Sequence, residues 1–257
     1  MEILVISLVA LVASGLTLYS GFGLGTLLMP VVAIFFPIEI AVAITAVVHL
    51  AANLFKFALF GKRADRGVVL RFGGPAIAAS FVGAFLLVWL SSLAPIGEYF
   101  IGSSIRQITP IKLIVGVLIL IFVLIERSPS FALRSIGRNM LPLGGLISGF
   151  FGGLSGNQGA FRSMFLIKAG LTKEQFIATG IVIAVLVDIA RMSVYGWDVV
   201  IKHTDLDWML IAITCVAAFI GAFVGSRFIE KVTIGAIQMI VSILLAILGL
   251  GLITGLL

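Results

Sequence analysis

The chain has 257 residues, of which 61% are hydrophobic and only 11% charged, with a net charge of +6. A soluble domain carries about 25% charged residues, so this chain lacks the polar surface that a soluble enzyme, a nucleic-acid binder or a disordered tail needs. What remains is an all-α polytopic membrane protein, in which Lys and Arg mark cytoplasmic loops and not a nucleic-acid patch, and whose single cysteine, Cys215, excludes a disulfide framework.

Apolar runs predict helices over about 3–20, 24–36, 38–60, 72–93, 111–125, 141–154, 160–169, 176–194, 208–228 and 234–257. These runs are unbroken, whereas the strands of a membrane barrel alternate. The second, sixth and seventh runs are shorter than the roughly 20 residues of a comfortable span, and each adjoins a glycine cluster. They read as half-helices or re-entrant segments. The first run has Glu2 where a signal peptide has its basic start, and it is kept in the mature fold. Lys62, Arg63, Arg66 and Arg71 share one predicted loop, Arg127, Arg134 and Arg138 another, Arg227 and Lys231 a third, and Lys173 a fourth. The intervening loops carry Glu98 with Arg106, and Asp198, Lys202, Asp205 and Asp207. The positive-inside bias puts the first group in the cytoplasm and both termini on the periplasmic side.

The chain also resembles itself. Ser14-Gly15, Gly25-Thr26 and Thr45 overlay Ser148-Gly149, Gly159-Ala160 and Thr179 without gaps, and Phe81-Val82-Gly83-Ala84-Phe85 matches Phe219-Ile220-Gly221-Ala222-Phe223. Each half reads as a glycine-broken hairpin followed by three full spans. Three is odd, so the second half enters the membrane from the opposite side, as the loop charges also require. The expected architecture is a single transport domain, 1–257, of two inverted-topology repeats, about 1–127 and 139–257. In secondary transporters of this kind the substrate lies at mid-membrane between broken helices.

Polar residues at membrane depth are candidates for function. Thr45, His49, Asn53 and Lys56 fall at about 0°, 40°, 80° and 20° around one helix, a narrow stripe on an otherwise apolar rod. A cation, an imidazole and an amide together suit an oxyanion; the alternative is a polar helix–helix contact with Lys56 snorkelling. The matching helix of the second half carries Asp188 and Arg191, three residues apart, with Tyr195 beyond. These two form a structural ion pair, a gate or a proton-titrating couple. Lys56 and Arg191 are expected on opposite sides of the midplane. Glycines expose backbone N–H groups, and a helix N-terminus adds positive partial charge. Gly23, Gly25 and Thr26 in one half, and Ser155, Gly156, Asn157, Gln158 and Gly159 in the other, are therefore expected to line an anion nest. Arg162 is either its main counter-charge or a half-helix end facing cytoplasmic water.

The pattern Ser20-Gly21-Phe22-Gly23-Leu24-Gly25 with Pro30, repeated as Ser148-Gly149-Phe150-Phe151-Gly152-Gly153 with Gly156 and Gly159, resembles the sulfite exporter TauE/SafE family, as do the steps Ile44-Thr45 and Ala178-Thr179. The resemblance covers nearly the whole chain, with Leu24 and Asn157-Gln158 interrupting the glycine runs. It implies a multi-pass inner-membrane exporter of small sulfur-containing anions such as sulfite or organosulfonates. No cofactor or metal is expected, since two histidines and scattered carboxylates show no ligand spacing. The expected partners are the anion and the lipid bilayer; a coupling proton and a homodimer stay open. An anion channel would share the same lining. The word Gly153-Leu154-Ser155-Gly156 looks like an intramembrane serine protease, but the only histidine after it, His203, lies in a hydrophilic loop.

Overall fold

The computed structural model describes residues 1–20, 23–102, 104–127, 137–201, 206–228 and 234–257. Its helices are α1 (Glu2–Ser20), α2 (Leu24–Phe35), α3 (Ile38–Phe60), α4 (Arg66–Ser91), α5 (Pro110–Arg127), α6 (Leu141–Ser155), α7 (Gln158–Leu166), α8 (Lys173–Ile201), α9 (Trp208–Phe228) and α10 (Ile234–Ile253). Arg134, Lys202, His203, Asp205, Lys231 and the Gly21-Phe22 pair, all named above, lie outside the described residues.

Local chemistry sets the helix ends. Pro37 precedes α3, where its missing N–H costs nothing. Asp65 caps α4 by accepting the Val68 N–H at 2.9 Å. Thr172 and Gln175 cap α8 reciprocally, at 3.2 and 3.1 Å. Asp207 caps α9 through the Leu210 N–H at 2.9 Å. Four of the described helical stretches, Ile38–Arg63, Arg66–Ser91, Lys173–Asp198 and Trp208–Arg227, are long and apolar enough to cross a bilayer. With 23 residues, α3 is about 35 Å long, against a hydrocarbon core of about 30 Å. By contrast α2 has 12 residues and α7 only nine, so neither spans alone.

Two sequence expectations need correction. Arg66 and Arg71 do not lie in a loop: α4 starts at Arg66, six residues before the predicted start, and passes through a π-helical turn at Val69–Gly73. The cap supplied by Asp65 makes the earlier start stable, and both arginines remain exposed on the helix surface. The stretch between α4 and α5 holds an antiparallel hairpin, β1 (Gly97–Ile101) and β2 (Ser104–Ile108), with Glu98 opposite Gln107 and Tyr99 opposite Arg106. Arg106 donates to the Leu256 carbonyl at 3.0 Å and the Tyr99 hydroxyl to that of Thr254, which ties the hairpin to the C-terminal residues.

Glycines bring the helices together. Along α6, a Cβ at Gly145, Gly149 or Gly153 would collide with the α4 backbone at Phe72, Ala76 or Ser80, and one at Gly83 with the α6 backbone at Phe150. The α1–α9 pair closes in the same way, with Gly221 against Leu11 and Gly225 against Gly15. Lipid chains give apolar helices no hydrophobic reason to associate, so such backbone-to-backbone contact supplies much of the packing energy. Bulky side chains stay on the outside in rows, among them Leu4, Leu8 and Val12 on α1 and Phe81, Phe85 and Trp89 on α4. A periphery of that kind suits acyl chains. The interior of the bundle is where the polar residues collect.

Candidate functional site

Helices α3 and α8 run antiparallel along one seam. At one end the Asp65 N–H, just after α3, donates to Thr179 Oγ1 of α8 at 2.9 Å. At the other end Glu39 of α3 and Asp198 of α8 line the same cavity, of about 340 Å3, with Ser91, Ser92 and Tyr195. Midway between these ends the polar stripe of α3 meets that of α8.

The meeting point is Asp188, which has no exposed surface. Its Oδ2 lies 2.7 Å from His49 Nδ1 and accepts from Asn53 Nδ2 at 3.0 Å. Its Oδ1 accepts from Gln158 Nε2 and from Arg191 Nε, both at 3.0 Å, and Arg191 Nη2 stands 2.7 Å away. Four side chains from three helices thus share one carboxylate. A fully buried charge is tolerated only when it is paired and hydrogen-bonded, and this one is met by two formally or potentially cationic partners and two amides.

Arg191 reaches further. Its Nη1 donates to the Gly152 carbonyl at 3.2 Å, and the Tyr195 hydroxyl donates to that of Gly153. The Gly152 carbonyl also accepts the Gly156 N–H at 3.1 Å, while that of Gly153 lies in the last turn, where helix carbonyls lack an intrahelical partner. The C-terminal end of α6 is therefore held by α8, with a cation at the negative end of the helix. Gly156 then turns the chain with φ of 78°, a left-handed conformation that suits glycine, and α7 begins at Gln158. The break is clasped by Ser148, whose hydroxyl donates to the Gln158 carbonyl at 2.9 Å.

The other break comes up to the same place. A Cβ at Gly25 would stand 3.4 Å from the Gly156 carbonyl oxygen, and one at Gly23 only 2.9 Å from His49 Nε2. The glycines here leave room for the imidazole and for the opposing break. Thr26 is buried, and its hydroxyl donates back to the Gly23 carbonyl.

Beyond Asp188, toward the C-terminal end of α3, two more cations are buried. Lys56 is 5% exposed and Arg162, of α7, 7%, and they are close enough to repel each other. Among the described residues no carboxylate forms an ion pair with either. Arg162 also feels the charge of Asp188, and its Nη1 has no hydrogen-bond partner among the described residues. The reading in which Arg162 faces open water does not fit its burial. Among the described residues the centre holds Lys56, Arg162 and Arg191 against the one carboxylate of Asp188.

Of the residues singled out from sequence, His49, Asn53, Gln158 and Arg191 all bond the carboxylate of Asp188. Gly25, Thr26 and Asn157 lie at the two breaks, and Lys56 and Arg162 form a separate pair of cations. Along the seam Arg191 and Lys56 fall on opposite sides of the His49–Asp188 contact. Sequence reasoning left Tyr195 outside the site, although its spacing of four from Arg191 puts it on the same face of α8. The carbonyls of Gly152 and Gly153 carry no sequence signal of their own.

Among the described residues the serine-protease reading finds no dyad. Ser155 donates to the Phe151 carbonyl at 3.1 Å and accepts from Asn157 at 3.3 Å, while His49 Nδ1 donates to Asp188. Among the described residues there is no cluster of three or more His, Cys, Asp or Glu side chains fit to hold a metal ion.

Comparison with curated proteins finds no match. The family model described as sulfite exporter TauE/SafE, however, matches residues 5–252, almost the entire chain and all of the seam, the two breaks and the buried cations. This polytopic helical membrane protein belongs to the sulfite exporter TauE/SafE family.

Proposed function

We propose that the protein moves small sulfur-containing anions, sulfite or organosulfonates, across the inner membrane by alternating access at the centre around Asp188 and Arg162. The observation that carries this reading is the charge of that centre: three cationic side chains are buried beside two broken helices, with one carboxylate among them. A surplus of buried positive charge costs several kcal/mol per ion unless a counter-charge arrives, and a sulfonate or sulfite is one. Mutants and ligands that change this balance are therefore expected to act strongly.

The two halves are related as inverted repeats in this reading. The packing of α1 on α9 and of α4 on α6 supports it, because each pair joins the opening helix of one half to the Phe-x-Gly-Ala-Phe helix of the other. Both termini are periplasmic, and the turn carrying Lys62, Arg63 and Arg66 is cytoplasmic. Export then needs no coupling ion. An anion leaving an inside-negative cell gains about 2.3 kcal/mol per charge for each 100 mV. The cavity between Glu39 and Asp198 is the outward approach to the centre, and Tyr195 stands between the two.

The test is tracer flux in proteoliposomes. Saturable uptake of labelled sulfite, accelerated by unlabelled sulfite inside, is expected. Flux that rises linearly with concentration and shows no counterflow would make the protein a channel. Absence of any anion flux would remove the transport reading. Topology is checked separately: a cysteine at position 66 in a Cys215→Ala background should resist an impermeant thiol reagent outside intact cells, and labelling from outside would overturn the orientation.

A further inference from the structure

The second break presents acceptors as well as donors. Asn157 is 2% exposed and Gln158 fully buried, yet Asn157 Oδ1 and Gln158 Oε1 have no hydrogen-bond partner among the described residues. Their neighbours fix which way the amides face. An ionised carboxylate only accepts, so Gln158 must offer Nε2 to Asp188 Oδ1, as it does at 3.0 Å, and its oxygen points elsewhere. The Ser155 hydroxyl donates to the Phe151 carbonyl and so has only lone pairs to offer Asn157. Asn157 meets them with Nδ2 at 3.3 Å, which turns Oδ1 away. Flipping Gln158 would set its amide oxygen against the Asp188 carboxylate, and flipping Asn157 would cost the Ser155 hydroxyl its bond to the Phe151 carbonyl. Arg162, four residues after Gln158 on the same face of α7, has an unpartnered Nη1.

A bare oxyanion with only acceptor oxygens would answer Arg162 and leave both amide oxygens buried and unpaired. A buried acceptor left without a donor costs about 1–3 kcal/mol. We propose that Asn157 and Gln158 set the substrate specificity of this site, their amide oxygens selecting an anion that carries its own hydrogen-bond donor. The favoured class is then hydrogen sulfite and hydroxyl-bearing sulfonates, and the disfavoured class is alkanesulfonates and fully deprotonated dianions of similar size. A site built to bond a substrate hydroxyl rejects the analogue lacking it more strongly than an apolar pocket rejects a size change. The assignment rests on the transport reading above and adds to it the chemistry of the ligand.

Two pairs of ligands that differ by hydroxyl against methyl test it: 2-hydroxyethanesulfonate against 1-propanesulfonate, and hydrogen sulfite against methanesulfinate at mildly acidic pH. Competition against labelled sulfite in proteoliposomes of the full chain reads the affinities. The hydroxyl member of each pair is expected to bind roughly tenfold or more tightly. In Asn157→Leu that ratio should collapse toward one. Equal affinities within both pairs for the wild-type protein would overturn the proposal while leaving transport intact, because water would then be satisfying the two oxygens. An unchanged ratio in Asn157→Leu and in Gln158→Leu would also overturn it. If no anion competes at all, the transport reading fails first. The wild-type comparison decides the matter even where a variant does not fold.

Discussion

Around Asp188 the protein answers its own buried charge; around Arg162 it does not. The Asp188 carboxylate receives His49, Asn53, Gln158 and Arg191, and the surplus donors of Arg191 run on to the end of α6. Further along the seam Lys56 and Arg162 repel each other, and among the described residues the amide oxygens of Asn157 and Gln158, at the start of α7, have no hydrogen-bond partner. Both regions are buried, so burial alone does not separate structural from ligand-binding polarity. Satisfaction does. A completed network stabilises the fold and gives a ligand little to bind, whereas an incomplete one is stabilised only by what comes in.

That contrast is broken most directly at Asp188. Asp188→Leu would leave Arg191 buried without its carboxylate and remove the acceptor shared by three helices. Removing one partner of a buried ion pair costs about 3–5 kcal/mol, a large part of the stability of most folded proteins. Detergent-solubilised Asp188→Leu is expected to melt well below wild type or fail to accumulate. Asp188→Asn keeps the hydrogen-bonding shape and should lose less. A wild-type melting curve for Asp188→Leu would mean that the network holds nothing together.

Much of the scaffold behind this contrast was legible in the sequence. The predicted run 38–60 coincides with α3, because an apolar segment bounded by Pro37 and Gly61 leaves little choice of ends. The α3 stripe also followed from the helical period alone. What could not be read was the partner. His49 and Asn53, expected to meet an anion, also hydrogen-bond Asp188, and that contact depends on α3 and α8 lying antiparallel side by side, which periodicity does not encode. The β1–β2 hairpin was missed for the same reason: its side-chain anchors are carbonyls near the C-terminus, far away in the chain. The early start of α4 hid behind Arg66 and Arg71, whose charge reads as loop until a cap is seen.

At the second region the sign of the expectation reverses. Arg162→Gln and Lys56→Gln each remove a buried cation that has no carboxylate ion pair among the described residues, so stability should hold or rise. Anion affinity should fall about tenfold to a hundredfold, the loss of one charge-assisted hydrogen bond of about 1.5–3 kcal/mol. Thermal melts with and without sulfite separate the two quantities: the curve without ligand should stay put while the ligand-induced shift shrinks. If Arg162→Gln instead melts as early as Asp188→Leu, the two regions are one structural network and the distinction between them falls.

The smallest expected effect is at Tyr195, which sits where the satisfied region meets the cavity lined by Glu39 and Asp198. Its hydroxyl donates to the Gly153 carbonyl and so helps pin α8 to the end of α6. Tyr195→Phe removes that one hydrogen bond and keeps the ring. The net contribution of such a bond is about 1 kcal/mol, too little to unfold the protein but roughly a fivefold change in a closed-to-open ratio. If the ring and its hydrogen bond hold the cavity shut from the centre, the closed form should be favoured less. Initial uptake from the cavity side of oriented proteoliposomes should then rise up to about fivefold, with uptake from the opposite side unaffected. A change of the same size on both sides would place Tyr195 with the central network and not at its boundary, because a bond that merely braces Arg191 acts on the centre whichever way it faces.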